Sequence, residues 1–125
     1  MTMPTRALEA HVRHKKPRVA VIDLHGEING FAEATLNDAY AEAESEHPDV
    51  ILLNFADVDY INSTGIALIV TLLARARKSH VRLYSCGLSQ HYVEIFNITR
   101  LADFMNVFPD EATALADPAI AAEGK

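Results

Sequence analysis

Cysteine is nearly absent from this chain: among 125 residues only Cys86 is one. A single thiol excludes an intrachain disulfide and fits a reducing compartment. Long apolar runs are missing too. None approaches the roughly 20 residues that span a bilayer, and the opening MTMPTRALEAHVRHKK lacks the apolar stretch of a secretory signal. The expected compartment is the cytoplasm, with no insertion into a membrane. Basic charge is in deficit, 11 lysines and arginines against 17 acids, for a net charge of −6. The only basic clusters are Arg13 to Arg18 and Arg75 to Lys78. The first, RHKKPR, reads as a solvated turn. The second reads as the end of a helix, where cations offset the macrodipole. Neither makes the basic stripe that nucleic-acid binding needs.

What is present is the material of one folded domain. Half of the residues are hydrophobic, which a disordered chain lacks. Leu8, Ala10 and Val12 alternate as in a half-exposed strand, and HKKP turns the chain into a second strand, RVAVIDLHGEI. Strands joined this tightly pair antiparallel. Gly26 and Gly30 are expected to bracket a loop. A helix follows, with Ala32, Leu36, Ala39, Tyr40 and Ala43 at helical spacing, and His47-Pro48-Asp49 stops it.

VILLNF, 50–55, is a strand covered on both faces, and ADVDYIN is expected to be a loop. The helix from about Thr64 to Lys78 is apolar almost all round. Full burial is the first expectation; a neighbouring helix or another protein is the other way to cover its outer face. VRLYS and MNVF are further strands. Ser89 is an N-cap for a short helix that turns Tyr92, Val93 and Phe96 inward. DEATALA forms a last helix, and ADPAIAAEGK is expected to fray. A hairpin followed by strand–helix alternation implies an α/β fold with a mixed sheet of four to five strands and about four helices.

The stretch YINSTGIAL sets Asn62, Ser63 and Thr64 between two apolar runs, at the start of the apolar helix. Ser63 or Thr64 can cap that helix, and Gly65 permits close backbone approach. Together with GEIN upstream, LLNFADVDYINSTGIALIV resembles the STAS domain, named for sulphate transporters and anti-sigma factor antagonists. The resemblance covers Leu8 to Ala116, and the domain is placed at 7–117 with flexible ends at 1–6 and 118–125. In anti-sigma factor antagonists of this family the second helix opens with aspartate, serine, serine or threonine, and glycine. The matching residues here are Asn62-Ser63-Thr64-Gly65.

The resemblance implies a cytoplasmic bacterial regulator, not an enzyme. It would bind an anti-sigma factor with serine kinase activity, be phosphorylated on Ser63, and be restored by a serine phosphatase. Its partner-binding residues would be Glu27, Asn29, Asp59, Asn62, Ser63, Thr64 and Gly65, with no cofactor and no metal. The alternative is a non-phosphorylated STAS subunit of a membrane transport or other regulatory complex. Three aspartates usual in the family are amides here: Asn29, Asn54 and Asn62.

Enzymatic readings of the same residues are weaker. A nucleophile elbow needs a glycine two residues before the serine, and Ile61 stands there. Cys86 and His91 suggest a thiol pair only on paper, since a lone strand-end cysteine usually packs as a small hydrophobe. The histidines at 11, 14, 25, 47, 80 and 91 show no metal spacing, and His11 and His14 would face opposite sides of a strand. GEING lacks the lysine and spacing of a Walker motif.

Overall fold

Two hydrophobic periods alternate along the chain, and each becomes one kind of element. The structure, a computed structural model, describes residues 6–15, 18–118 and 120. Strand β1 (Glu9–Lys15) pairs antiparallel with β2 (Val19–Ile28), so the expected hairpin is present. The chain then crosses over through α1 (Glu33–Glu44) to β3 (Val50–Ile61), through α2 (Ser63–Lys78) to β4 (Arg82–Cys86), and through α3 (Gln90–Ile98) to β5 (Asn106–Phe108). Helix α4 (Glu111–Leu115) follows. The sheet order is β1-β2-β3-β4-β5, and every pair after the first is parallel.

The two faces of the sheet carry two cores. Ala20, Ile22, Leu24, Ile51 and Leu53 pack with Leu36, Tyr40, Ile69, Leu72 and Phe96 from α1, α2 and α3. Val19, Val21, Leu52, Tyr84 and Cys86 meet Ala114 of α4 and Ile120 on the opposite side. Each fully buried aliphatic chain contributes about 1.5–3 kcal/mol. Within α1 the residues Leu36, Ala39, Tyr40 and Ala43 are all buried, as their spacing implied. Ser89 caps α3 by accepting from Tyr92 N, and Tyr92 and Phe96 are buried while Val93 is only partly so.

Several expectations are corrected. Gly26 lies inside β2, not at the mouth of a loop. It has φ +110°, and a Cβ there would stand 2.7 Å from Ala7 O, so the strand bulges past a neighbouring backbone at a residue without a side chain. The segment after Phe55 is not a loop. It continues β3 to Ile61, pairing with β2 alone, because β4 ends opposite Asn54. One face of that extension is open, which is why polar Asp57 and Asp59 occur in it. Helix α2 is not fully buried. Gly65, Ile69, Leu72, Leu73 and Ala76 face the sheet, whereas Ala67, Val70 and Ala74 are exposed.

The basic RHKKPR cluster is not simply a solvated turn. Arg13 is in β1, donates to Asp23 at 2.5 Å, and reaches Glu111 of α4 at the same distance. Its guanidinium thereby ties the edge strand to the helix on the back face. At the chain ends, most residues expected to be flexible lie outside the described ones. Ile120, expected to fray, is 4 % exposed and packs in the second core.

Candidate functional site

The entrance to α2 is held by main-chain and side-chain bonds from three directions. Asn62 has extended backbone, and its Oδ1 accepts from Gly65 N at 2.8 Å. The side chain therefore caps the helix, a role sequence reading gave to Ser63 or Thr64. Asn62 N donates to Ile28 O at 3.1 Å, which fixes the turn to the end of β2. From the other side, Ile61 N donates to the buried hydroxyl of Tyr92 on α3 at 2.9 Å. Gly65 is buried and packs so tightly on β2 that a Cβ would lie 2.1 Å from Ile28 O.

With Asn62 as cap, Ser63 and Thr64 occupy the first two helical positions, and both are exposed. No hydrogen bond of the Ser63 hydroxyl is present among the described residues. The backbone N–H groups of a first helical turn point outward along a positive dipole end, which tolerates a negative charge. Three basic residues, Arg75, Arg77 and Lys78, balance the other end. Arg75 also lies over the Tyr40 ring at 4.6 Å and 3.7 Å from Glu44, so it is bound to α1 as well.

Beside this entrance lies the end of β2. Glu27 pairs in register with Tyr60, and Ile28 with Ile61. Asn29 Oδ1 accepts from Phe31 N at 2.9 Å, capping a single 3-10 turn, Gly30–Ala32. A Cβ at Gly30 would meet Thr64 Cγ2 at 3.5 Å, an ordinary contact distance. The structure thus brings Glu27, Asn29, Asn62, Ser63 and Thr64 to one end of the sheet. Gly65 lies beneath that surface. Asp59 is further back along β3, where Arg6 pairs with it at 3.1 Å. Asp57 faces His25 at 3.0 Å, and His11 stacks edge-on against that ring at 5.6 Å.

Two residues of this surface escaped the sequence reading. Phe31 is 96 % exposed and Tyr60 51 % exposed. For Phe31 a signal existed: it is a large apolar residue out of phase with the buried set of α1. Elsewhere the reactive groups do not converge. Cys86 is buried on the back face, where burial and then Glu111 and Asp110 push its thiol up to about 12. His91 is exposed on α3 and stacks on Tyr92 at 4.9 Å. Among the described residues no group of three or more histidine, cysteine or acidic side chains is arranged to hold a metal.

A sheet opened by an antiparallel hairpin, followed by parallel crossovers with Asn62-Ser63-Thr64-Gly65 at the second helix, agrees with a family match across residues 11–114 to the STAS domain. This chain belongs to the STAS domain family. An anti-sigma-B factor antagonist of Staphylococcus epidermidis is 29 % identical over 86 residues, which cover 69 % of this chain and 80 % of that protein. An anti-sigma factor antagonist from Mycobacterium paratuberculosis shares the fold with a TM-score of 0.76 and 16 % identity, over 92 % of this chain and 95 % of that one. The phosphorylated form of SpoIIAA, a Bacillus cell fate determinant, matches this STAS domain with a TM-score of 0.66 and 19 % identity, over 85 % and 96 % of the two chains. Among the described residues no helix is long and apolar enough to cross a membrane.

Proposed function

We propose that this STAS domain is an anti-sigma factor antagonist that acts in the cytoplasm by partner switching. It binds an anti-sigma factor that is also a serine kinase, and so frees the sigma factor or other target held by that protein. The kinase reverses the contact by phosphorylating Ser63, and a serine phosphatase restores it. The domain is a regulator and a substrate, not an enzyme. The observation that carries this reading is an exposed Ser63 hydroxyl, without a hydrogen-bond partner among the described residues, at the first position of a capped 16-residue helix.

A phosphate there adds about −1.5 to −2 charge units. The helix end tolerates that charge, so the fold is retained, but a partner pressed on the same surface meets added bulk and the cost of stripping water from the phosphate. Glu27, Asn29, Asp59, Asn62 and Thr64 border the proposed contact, with Gly65 setting the height of the helix above β2. The names of the relatives and the phosphorylated state of the Bacillus neighbour support this reading.

The test is to incubate the domain with purified anti-sigma factor kinases of the same genome and ATP, then map the phosphopeptides. The expected product carries phosphate on Ser63 and none on Thr64. Phosphate on Thr64 with Ser63 unmodified would overturn the assignment. Stable co-purification with a permease complex, with no modified serine, would instead favour a subunit of a membrane assembly.

A further inference from the structure

We propose that Phe31 is the apolar anchor of the partner contact, and that it docks a protein surface of cationic character carrying a complementary apolar pocket. This rests on the anti-sigma reading above and names the chemistry of its partner. Phe31 is 96 % exposed, yet it is not loosely held. Its backbone N–H is bonded to the Asn29 cap and it is the middle residue of a 3-10 turn whose next residue, Ala32, is buried. An aromatic ring presented on a fixed backbone loses little conformational freedom on binding, which is what interface anchors require.

Next to the ring is a hollow of about 210 Å³ lined by Ala7, Leu8, Asn29, Ala32 and Thr35 together with Phe31 itself. Knob and hollow side by side give a partner both a group to enclose and a place to insert one. The turn that carries them lies beside Thr64, whose Cγ2 a Cβ on Gly30 would meet at 3.5 Å, so a protein seated on Phe31 also covers Ser63.

Charge selects among occupants. Glu27 and Glu33 flank the turn without an ion-pair partner among the described residues, while Arg6 and His25 are engaged with Asp59 and Asp57. A second copy would bring the same acids face to face, on molecules that each carry a net charge of −6. An anionic membrane surface is disfavoured on the same ground. A cationic protein surface is favoured.

The experiment measures the affinity of the parent, Phe31→Ala and Phe31→Leu for the purified anti-sigma factors of the same genome, with thermal melts as controls. Phe31→Ala is expected to melt like the parent and to bind about 30-fold more weakly or worse. Phe31→Leu should recover most of that loss, and association of the parent should slow as salt is raised. Parent-like affinity of Phe31→Ala would overturn the anchor alone. A parent that binds none of these proteins would overturn the anti-sigma reading and the anchor with it. Concentration-dependent dimers of the parent that Phe31→Ala abolishes would overturn the choice of occupant in favour of a second copy.

Discussion

The Asn54 side chain uses both ends of its amide. Nδ2 donates to Asp23 Oδ1 at 2.9 Å, and Oδ1 accepts from Ala56 N at 3.1 Å. Burial alone would raise the Asp23 carboxyl, but hydrogen bonds from Arg13 and Asn54 outweigh it and hold the group below its ordinary value. A carboxyl lowered in the folded state contributes stability above its unfolded value of about 3.9 and loses it as pH falls through the folded value. An aspartate at 54 could not donate and would set a second charge against Asp23. Asn54→Asp is therefore expected to cost about 1–3 kcal/mol at pH 7. The like-charge pair raises its own carboxyl values, so this cost should shrink toward pH 4 as one group takes up a proton and becomes a donor. Urea unfolding of parent and mutant at pH 7 and near pH 4.5 checks this, and an equal cost at both would show that charge is not the cause. The sequence marks Asn54 as a departure from the family pattern but conceals its partner, 31 residues away. The other two amides likewise keep the acceptor and drop the charge: Asn29 holds Phe31 N and Asn62 holds Gly65 N.

At the scale of elements, periodicity disclosed most of this fold and failed where two elements exchange roles. The buried face of α1, and Tyr92 and Phe96 of α3 though not Val93, follow from spacing because each helix has one sheet to meet. The length of β3 did not, since beyond Phe55 only β2 supports it and acidic residues occupy the open face. Helix α2 misled for a related reason: its outer residues Ala67, Val70 and Ala74 are apolar but exposed, and composition alone cannot tell a buried face from an uncovered one. The join between β3 and α2 depends on contacts remote in sequence. Tyr92→Phe keeps the ring in place and leaves Ile61 N without its acceptor, so it should cost about 1–3 kcal/mol. Denaturant melts measure the loss, and a cost near zero would mean that Ile61 N finds another acceptor. Gly65→Ala drives a methyl into Ile28 O and should destabilise by about 1–3 kcal/mol or more. It should also lift the helix end, visible as shifted amide resonances from Asn62 to Ile66 and at Ile28. A stable mutant with unshifted resonances would show that the close approach is not required.

Across the whole molecule, the proposed contact surface is separated from the ion-pair network that ties β1 and β2 to α4. The back face carries Arg13, Asp23, Asn54 and Glu111, while the end of β2 and the start of α2 carry Phe31, Ser63 and Thr64. A modification at Ser63 can therefore change binding without loosening either core. Ser63→Asp tests this separation. A carboxylate at the first position of α2 is favourable by about 0.3–1 kcal/mol, which for a domain of this size raises Tm by about 1–4 °C. Enclosed by a partner, the same carboxylate is bulkier than the hydroxyl it replaces and is stripped of its water, which costs several kcal/mol even beside cations. Affinity for the anti-sigma factor should fall by about 100-fold or more. Neighbouring Asp59 adds little to either effect, because Arg6 already faces it. Calorimetric binding and thermal melts of the same preparation read the two quantities together. Lowered stability would place the Ser63 hydroxyl among the supports of the fold, and an undiminished affinity would remove it from the contact surface.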